Sequence, residues 1–280
     1  MKRIILTLHC PDDKGIISRI TTFLAHYNAN ILHMDQHSTQ LKNGVFFCRC
    51  ECIISKENYQ SSSFKETFTT LGSELNATWQ FHDCDKKMRV GILVSKPGHC
   101  LHEILHQWDA GDLNIEIPFV ISNHPDHKEM CTHYRLPFHY IPSSSNNRLE
   151  ADIEAIIQDS DCLVLARYMQ IISSAFIERY SPRKIINIHH SFLPSFKGAN
   201  PYQQAYDKGV KVIGATAHFV TAELDEGPII YQTVNTITHK DGPNELKMKG
   251  KYLEKIGVSE ALKLFSEHRI LLWKNRTIIF

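Results

Sequence analysis

From about residue 88 to residue 188 the sequence alternates between short apolar runs and segments with helical spacing. This alternation predicts an α/β domain with a Rossmann-like, mostly parallel sheet that is covered by helices on both faces. Ligands bind such sheets at the carboxyl ends of the strands, and here polar residues follow most of the strands. Strands are predicted at 88–94, 115–121, 138–141, 162–166 and 185–188, and helices at 100–108, 150–158, 174–180 and 259–268.

The first 85 residues have a different order of elements, namely β, α, β, β, α, β. This order is the ferredoxin-like arrangement of two split βαβ units. The polar run Cys84-Asp85-Lys86-Lys87 then interrupts the apolar pattern, so we predict one domain at 1–85 and a second at 86–280. The strands of the first domain are predicted at 2–8, 30–37, 45–54 and 77–82.

The charge balance, the N-terminal residues and the cysteine pattern indicate what the protein can bind and where it is located. The 31 Lys and Arg against 30 Asp and Glu leave a formal charge of +1, which gives no electrostatic basis for binding nucleic acid or an anionic membrane. The opening apolar run is too short for a secretory or membrane-spanning segment, so we expect a cytoplasmic protein. The cysteines at 48, 50 and 52 alternate within a strand pattern, which favours core packing over a metal site.

Several catalytic and nucleotide-binding motifs are missing from the second domain, and their absence argues against some classes of reaction. The loop after its first strand, Ser95-Lys96-Pro97-Gly98-His99, has neither the dinucleotide nor the P-loop glycine pattern. The sequence also has no Gly-x-Ser-x-Gly elbow, and no cysteine follows a strand with an evident histidine partner. These observations disfavour nucleotide-dependent and covalent catalysis.

Polar side chains instead meet in the stretch from Lys184 to Ile230. Asn187 and His189 lie two apart on a predicted strand and so share a face, and the turn at 222–228 could return Asp225 to them. An amide, an imidazole and a carboxylate can stabilise an oxyanion and orient a nucleophile in acyl-group chemistry. From the pattern alone, structural roles for each of the three remain open.

Several motifs in this domain resemble the folate-dependent formyltransferase family. The resemblance implies that Asn187, His189 and Asp225 are catalytic and that 10-formyltetrahydrofolate is the substrate, with no cofactor. It also implies that the backbone at 169–172 holds the folate pterin. For Ser191 and His218, both substrate binding and a purely structural role remain open. The matching motifs are Asn187-Ile188-His189, Ser191–Pro194, Lys197-Gly198 and Leu224–Gly227, and the predicted substrate-binding residues are Met169, Gln170, Ile172, Ser191, Gly198 and His218.

The first domain resembles an ACT domain through Cys10–Ile16. The resemblance implies that Asp12, Lys14, Gly15 and Ile16 form a regulatory loop for an amino-acid effector, such as glycine or methionine, and that the chain forms a homo-oligomer. Amides at a helix start would face the carboxylate of the effector. The alternative is that an aspartate of this loop only caps the helix and that the domain only holds subunits together.

The combination of both domains distinguishes between branches of the formyltransferase family. Members that act on glycinamide ribonucleotide have a glycine- and serine-rich loop for the substrate phosphate, which this chain lacks, and members that act on methionyl-tRNA have a further C-terminal domain. The whole chain, including its terminal Asn275–Ile279, resembles the branch that hydrolyses 10-formyltetrahydrofolate to formate and tetrahydrofolate. That reaction supplies formate for purine biosynthesis and balances one-carbon folate pools. Transfer to an unrecognised amine and a non-catalytic amino-acid or folate sensor are the alternatives.

Overall fold

The computed structural model describes residues 1–40, 42–144, 146–180, 184–195 and 201–280, and these form two compact units. The first unit comprises Met1–Lys87 with Glu267–Trp273 and Ile278–Phe280. The second comprises Met88–Ser266 with Lys274–Thr277. The end of the chain is therefore shared between the units, whereas the sequence-based division assigns it to the second domain alone. Within the described ranges, no helix combines the length and the apolarity needed to span a membrane.

The first unit has the predicted ferredoxin-like βαββαβ fold. Its four-stranded sheet has the order β2-β3-β1-β4, and every neighbouring pair is antiparallel. Cys48, Cys50 and Cys52 alternate along β3 and are fully buried in the hydrophobic core beneath the helices, as the packing interpretation predicts. The elements are β1 (Lys2–Pro11), α1 (Ile16–His26), β2 (Asn30–Ser38), β3 (Val45–Ile54), α2 (Lys56–Gln60), α3 (Ser62–Glu74) and β4 (Thr78–Asp83).

The other face of β3 is covered by the end of the chain. Arg49 donates from Nε to the carbonyl of His268 at 3.2 Å and from Nη2 to that of Glu267 at 3.0 Å. The rings of Phe47 and Trp273 contact each other edge to face, with centroids 6.2 Å apart. These contacts place 267–273 in the first unit. Residue periodicity could not predict them, because Arg49 and His268 are 219 positions apart.

The second unit is built on an eight-stranded sheet with the order β12-β11-β10-β9-β5-β7-β8 and β6 beside β5. The strands from β10 to β8 are parallel, and β11 and β12 add to one edge in antiparallel fashion. The chain runs from β5 to β8 on one side and then returns to β9 on the other side, so the order switches between β5 and β9. The strands are β5 (Met88–Val94), β6 (Ile115–Glu116), β7 (Val120–Ser122), β8 (Phe138–Tyr140), β9 (Cys162–Leu165), β10 (Lys184–His189), β11 (Val212–Phe219) and β12 (Ile229–Thr236).

Helices cover this sheet, and a hairpin ends the chain. The longest helix, α9, packs on β10, β11 and β12, and its Leu253, Val258 and Leu262 are buried. The helices are α4 (His99–Ala110), α5 (Lys128–His133), α6 (Glu150–Ile157), α7 (Ser174–Tyr180), α8 (Pro201–Asp207) and α9 (Pro243–Ser266), with a 3₁₀ turn at Pro125–His127, and the hairpin strands are β13 (Ile270–Trp273) and β14 (Arg276–Ile279).

Two of the predicted elements are wrong in extent. The single strand predicted at 115–121 is divided into β6 and β7 around Pro118, because proline has no amide to donate to a sheet. The helix predicted at 259–268 begins much earlier, at Pro243. Its first turns carry many lysines and few apolar residues, so they lack the periodic signal on which the prediction depends.

Candidate active site

Neighbouring antiparallel strands hold the amide and the two imidazoles of the site. Asn187 and His189 project from one face of β10, because side chains two apart share a face. Asn187 pairs in the ladder with His218 of β11, and His189 pairs with Thr216. The antiparallel edge of the sheet therefore brings His218 beside Asn187, at the point where β10 ends.

Asp225 is carried to these strands by a tight loop. Asp225 has a φ of 57°, in the left-handed region that few non-glycine residues adopt. At Gly227 the loop passes so close to the strand that a Cβ would lie 1.7 Å from the carbonyl oxygen of Phe219. Asn275 and Thr277 donate side-chain hydrogen bonds to backbone carbonyls at and just after this loop, at 3.3 and 2.6 Å. The position of Asp225 is thus fixed by the backbone on both sides.

The carboxylate of Asp225 joins the two histidines. His189 Nδ1 lies 3.2 Å from Asp225 Oδ2, and His218 Nε2 lies 3.6 Å from Asp225 Oδ1. His218 donates from Nδ1 to the carbonyl of Phe219 at 2.9 Å, so its Nε2 accepts from Asn187 Nδ2 at 3.2 Å. This hydrogen bond orients the Asn187 amide, and no described residue accepts from its second N–H. His189 is 6% exposed, and its Nε2 has no hydrogen-bond partner among the described residues.

The charge of this group follows from its surroundings. Burial alone would raise the pKa of Asp225, but the hydrogen bond and the charge that His189 supplies at its Nδ1 hold the pKa well below its ordinary value. The carboxylate is therefore ionised throughout the neutral range. Next to it, burial lowers the pKa of His190 to about 4, with further contributions from Arg167 and His189, so His190 is neutral.

These residues line a cleft of about 730 Å³. Met169, Gln170 and Ile172, three of the predicted substrate-binding residues, line it as well. Met169 and Ile171 are more than half exposed at its wall, so they give the cleft an apolar surface. The cleft has the size of a site for a folate-sized ligand.

A buried polar network holds the backbone of this cleft wall. Ser95, at the end of β5, accepts from the amide of Met169 at 3.0 Å and donates to Asn123 Oδ1 at 2.6 Å. Ser143 and Tyr168 extend the network with a hydroxyl pair at 2.7 Å. The carboxyl ends of β5 and β9 are thereby joined where the strand order switches, as is usual for ligand sites in such sheets.

Two other predicted substrate-binding residues do not contribute to the described cleft lining. Ser191 is buried, and its hydroxyl donates to the carbonyl of Ser195 at 2.9 Å, so it holds the loop after β10. Gly198 lies outside the described residues, as does Lys197 of the same motif.

The predicted regulatory loop precedes α1 in the first unit. Gly15 is the N-cap of α1 with a φ of 84°, and no side chain caps the helix. Asp13 accepts from the amide of its neighbour Lys14 at 2.7 Å, and Ile16 is buried in the core. The alternative that Asp12 or Asp13 caps the helix is therefore wrong, because the left-handed glycine occupies the capping position.

Sequence reasoning missed a second buried polar cluster, which we name the Glu254 cluster and define as Glu254, His99, Arg167 and Tyr202. Glu254 is 1% exposed, and its carboxylate accepts from His99 Nε2 at 2.7 Å and from the Tyr202 hydroxyl at 2.7 Å. Arg167 Nε lies 3.2 Å from the same carboxylate. Burial opposes the charge of Glu254, but His99 and Arg167 hold its pKa below the ordinary value.

His99, Cys100 and Glu254 also lie within 4.8 Å of one another, a spacing that metal ligands can have. The arrangement does not fit a cation, because the Arg167 guanidinium already lies 3.2 Å from Glu254. Burial also raises the pKa of the Cys100 thiol well above its usual range, which disfavours the thiolate that a metal needs. The absence of a metal and of a cofactor stays a prediction.

Comparisons with known proteins agree with this geometry. Residues 88–262 match the formyl transferase family and residues 4–55 match the ACT domain. The chain is 42% identical to the formyltetrahydrofolate deformylase of Synechocystis sp. over 98% of this chain and 97% of that protein. A crystal structure of a formyltetrahydrofolate deformylase from Pseudomonas syringae pv. tomato is also similar, with a TM-score of 0.94 and 37% identity. The match covers 100% of this chain and 95% of the chain in the crystal structure.

Another solved structure matches a smaller part of the chain. This structure is glycinamide ribonucleotide transformylase 1 from Symbiobacterium toebii, with a TM-score of 0.65 and 31% identity. The match covers 69% of this chain and 94% of the transformylase chain. The matches to deformylases, by contrast, extend over both units and nearly the full length of each partner. The chain therefore belongs to the formyltetrahydrofolate deformylase family, in which an ACT domain precedes a formyltransferase-type domain.

Proposed function

We propose that this chain hydrolyses 10-formyltetrahydrofolate to formate and tetrahydrofolate. The observation that carries the proposal is the arrangement of Asn187, His189 and Asp225 on one wall of the cleft, with an amide N–H and the His189 Nε2 left available. Water is the acceptor in this reaction, so no second substrate has to be bound. The formate produced would supply purine biosynthesis and balance one-carbon folate pools.

Asn187 and His189 stabilise the oxyanion in this mechanism. The formyl oxygen accepts from Asn187 Nδ2, whose orientation is set by its hydrogen bond to His218, and from a protonated His189 Nε2. The ionised Asp225, 3.2 Å from His189 Nδ1, stabilises the imidazolium form. Because these donors are held in place before the reaction, little reorganisation is needed as charge develops on the oxygen.

Asp225 also orients the attacking water. The water oxygen forms a bond to the formyl carbon, and the bond from that carbon to N10 of the folate then breaks. One proton of the water passes to N10, and the second is released to solvent with formate. Since the low pKa of Asp225 makes it a weak base, it acts mainly by holding the water, and proton transfer completes only as the tetrahedral intermediate forms.

The apolar part of the cleft would bind the pterin. Met169, Ile171 and Ile172 provide the apolar surface, and the backbone of this segment, fixed by Ser95, provides amides and carbonyls for the ring edge. Such a division, with apolar walls and a few placed polar groups, is typical of small-molecule sites.

The direct test is purified protein with 10-formyltetrahydrofolate and no acceptor. We expect formate and tetrahydrofolate in equal amounts, over many turnovers. If tetrahydrofolate forms only after an amine is added, together with the formylated amine and without formate, the chain is a transferase. If no turnover occurs under either condition while folate or an amino acid binds, the chain is a sensor.

We also propose that an amino acid, glycine or methionine, binds the loop before α1 as an effector. The start of α1 has no side-chain cap, so its first amides are available to a carboxylate. Titration of formate release with each amino acid tests this. A Gly15→Ala variant, which is strained at a φ of 84°, should lose the response and keep basal turnover. The homo-oligomer expected of paired ACT domains is tested by the mass of the protein in solution.

A further inference from the structure

Near the end of the chain, Lys274–Thr277 contact the loop 220–228 that carries Asp225, and we call these four residues the C-terminal turn. Asn275 donates from its side chain to the carbonyl of Glu226 at 3.3 Å, and Thr277 donates to the carbonyl of Ile229 at 2.6 Å. The turn and the loop both belong to the second unit. The turn therefore holds the backbone directly after Asp225 and again where β12 begins.

Polar contacts, more than packing, hold the part of this loop around Asp225. A groove of about 600 Å³ lies beside it, lined by Asp225, Glu226, Leu193 and residues of the C-terminal turn. At Gly227, by contrast, the loop is packed tightly, because a Cβ there would lie 1.7 Å from the carbonyl oxygen of Phe219. If the hydrogen bonds from the turn are lost, the residues before Gly227 have space to shift while Gly227 stays in place.

The residues on both sides of the C-terminal turn belong to the first unit, namely Glu267–Trp273 before it and Ile278–Phe280 after it. Arg49 of β3 holds the first of these segments through two backbone carbonyls, at 3.2 and 3.0 Å. The amide of Phe280 donates to the carbonyl of Arg269 at 2.9 Å, so the second segment is tied to the first. The path of the chain into and out of the turn is thus set in the first unit.

Ring contacts within the first unit lead from the predicted regulatory loop to the residue before the turn. Trp273 contacts Phe47 edge to face with centroids 6.2 Å apart, and Phe47 stacks on His9 with centroids 5.6 Å apart. His9 lies near the end of β1, three residues before Asp12 of the regulatory loop. A contiguous series of packed side chains is the kind of connection through which one site can bias another.

We propose that the C-terminal turn positions Asp225 for catalysis, so that the turnover rate depends on how the first unit holds the end of the chain. This proposal depends on the hydrolysis proposed above. Asn275 and Thr277 act as positioning residues, since they contact the backbone of the loop. A shift of about 1 Å would move the Asp225 carboxylate away from His189 and from the attacking water, and a misplacement of that size can lower a rate by about 100-fold.

The loss should fall on kcat, because Asp225 acts on the reacting atoms while the apolar part of the cleft binds the folate. An effector bound before α1 would act by the same route, and so also on kcat. This expectation separates the C-terminal turn from a segment that only supports the shape of the cleft, whose loss would raise KM as well.

Thr277→Val in the full-length protein tests the positioning role, because it keeps the shape of the side chain and removes the hydroxyl. We expect kcat for formate release from 10-formyltetrahydrofolate to fall about tenfold or more, with KM unchanged. Thr277→Ser retains the hydroxyl and should recover most of the rate. Thr236→Val is the matched control and should keep the wild-type kcat, because Thr236 ends β12 and lies outside the described linings of the cleft and the groove.

Trp273→Leu tests the dependence on the first unit. The change weakens the ring contact with Phe47, and it should lower kcat while KM stays unchanged. In an Asn275→Ala, Thr277→Val background, where both hydrogen bonds from the turn are absent, Trp273→Leu should lower kcat little further, because both sets of changes act through the same turn. Independent structural roles would make the two losses multiply.

The proposal is overturned if Thr277→Val keeps the wild-type kcat, if Trp273→Leu has no effect on kcat, or if its loss multiplies with that of the turn variants. An amino acid that binds the first unit and changes KM alone would also contradict it. In each of these cases formate release by the wild type leaves the proposed function standing, whereas a wild type that releases no formate overturns both.

Discussion

The second unit contains two carboxylates that are held by histidines, and they differ in what they leave available. Asp225 contacts His189 and His218, yet His189 Nε2 keeps no partner among the described residues and Asp225 lines the cleft. Glu254 contacts His99, Tyr202 and Arg167, and both of its oxygens are engaged. A similar set of groups thus places one carboxylate at the surface of the cleft and the other beneath the side chains that line it.

The difference shows that pairing, more than burial, determines chemical availability. Both carboxylates are largely buried, and in both the neighbouring groups hold the pKa below its ordinary value. In the group around Asp225, however, the carboxylate itself lines the cleft, whereas Glu254 lies behind Arg167 and Tyr202 and is not among the described lining residues. The variants below should affect turnover strongly at Asp225 and mainly stability at Glu254.

Asp225→Asn should have the largest effect. The neutral amide cannot stabilise the His189 imidazolium or hold water as a carboxylate does, so formate release should fall about 1000-fold. Asp241→Asn is the control, because Asp241 is ion-paired with Lys249 away from the cleft and should matter little to turnover. A fully active Asp225→Asn enzyme would remove the proposed contrast with Glu254.

Asn187→Ala should slow turnover about 100-fold or more, since it removes one oxyanion donor. The loss should appear in kcat, because the donor is used mainly in the transition state. Steady-state kinetics of formate release measure it, with Asn235→Ala on β12 as the control. An unchanged kcat with a raised KM would show that Asn187 only binds substrate.

His218→Phe should lower kcat about tenfold through Asn187 and leave KM for the folate unchanged. His218 is a positioning residue here, because its Nε2 accepts from Asn187 Nδ2 and so orients the amide. His218→Gln retains an acceptor and should recover much of the rate. Equal rates for the phenylalanine and glutamine variants would argue that the ring has only a packing role.

Glu254→Gln should affect stability more than rate. The change leaves the Arg167 guanidinium without its buried counter-charge, which typically destabilises a fold by about 3 kcal/mol or more. Denaturant unfolding measures this, with Glu260→Gln on the same helix as the control. Turnover should change less than tenfold, so a collapse of kcat in a folded variant would place Glu254 in catalysis.

Acid should weaken the fold near the cleft. Burial lowers the pKa of His190 from 6.5 to about 4, so between these values the unfolded chain binds a proton that the folded chain does not. Stability should therefore fall as the pH is lowered through this window. Unfolding at about pH 7.5 and about pH 5 measures the loss, which should be smaller in His190→Gln and unchanged in the control His133→Gln.

Much of the reactive site could be predicted from the sequence, because it depends on local rules. Strand alternation places Asn187 and His189 on one face, and the turn at Gly227 predicts the return of the chain at Asp225. Strand alternation alone would turn His190 away from Asn187, yet His190 lines the cleft, because β10 ends at His189 and alternation no longer applies beyond it.

The Glu254 cluster could not be predicted in this way. Its members come from the start of α4, the loop after β9, the start of α8 and the middle of α9, and none carries a local pattern. The early part of α9 also lacked the periodicity that would have identified a helix. Only the folded chain brings these four side chains into contact.

The antiparallel addition of β11 and β12 to the parallel sheet has a consequence for how such enzymes diverge. Asn187, His189, His218 and Asp225 all lie on β10, on β11 or in the loop that follows, so one continuous piece of chain carries the chemistry and can be inherited as a block. The Glu254 cluster needs separate changes in four segments. Lineages that share this fold would therefore keep the catalytic group more readily than the Glu254 cluster.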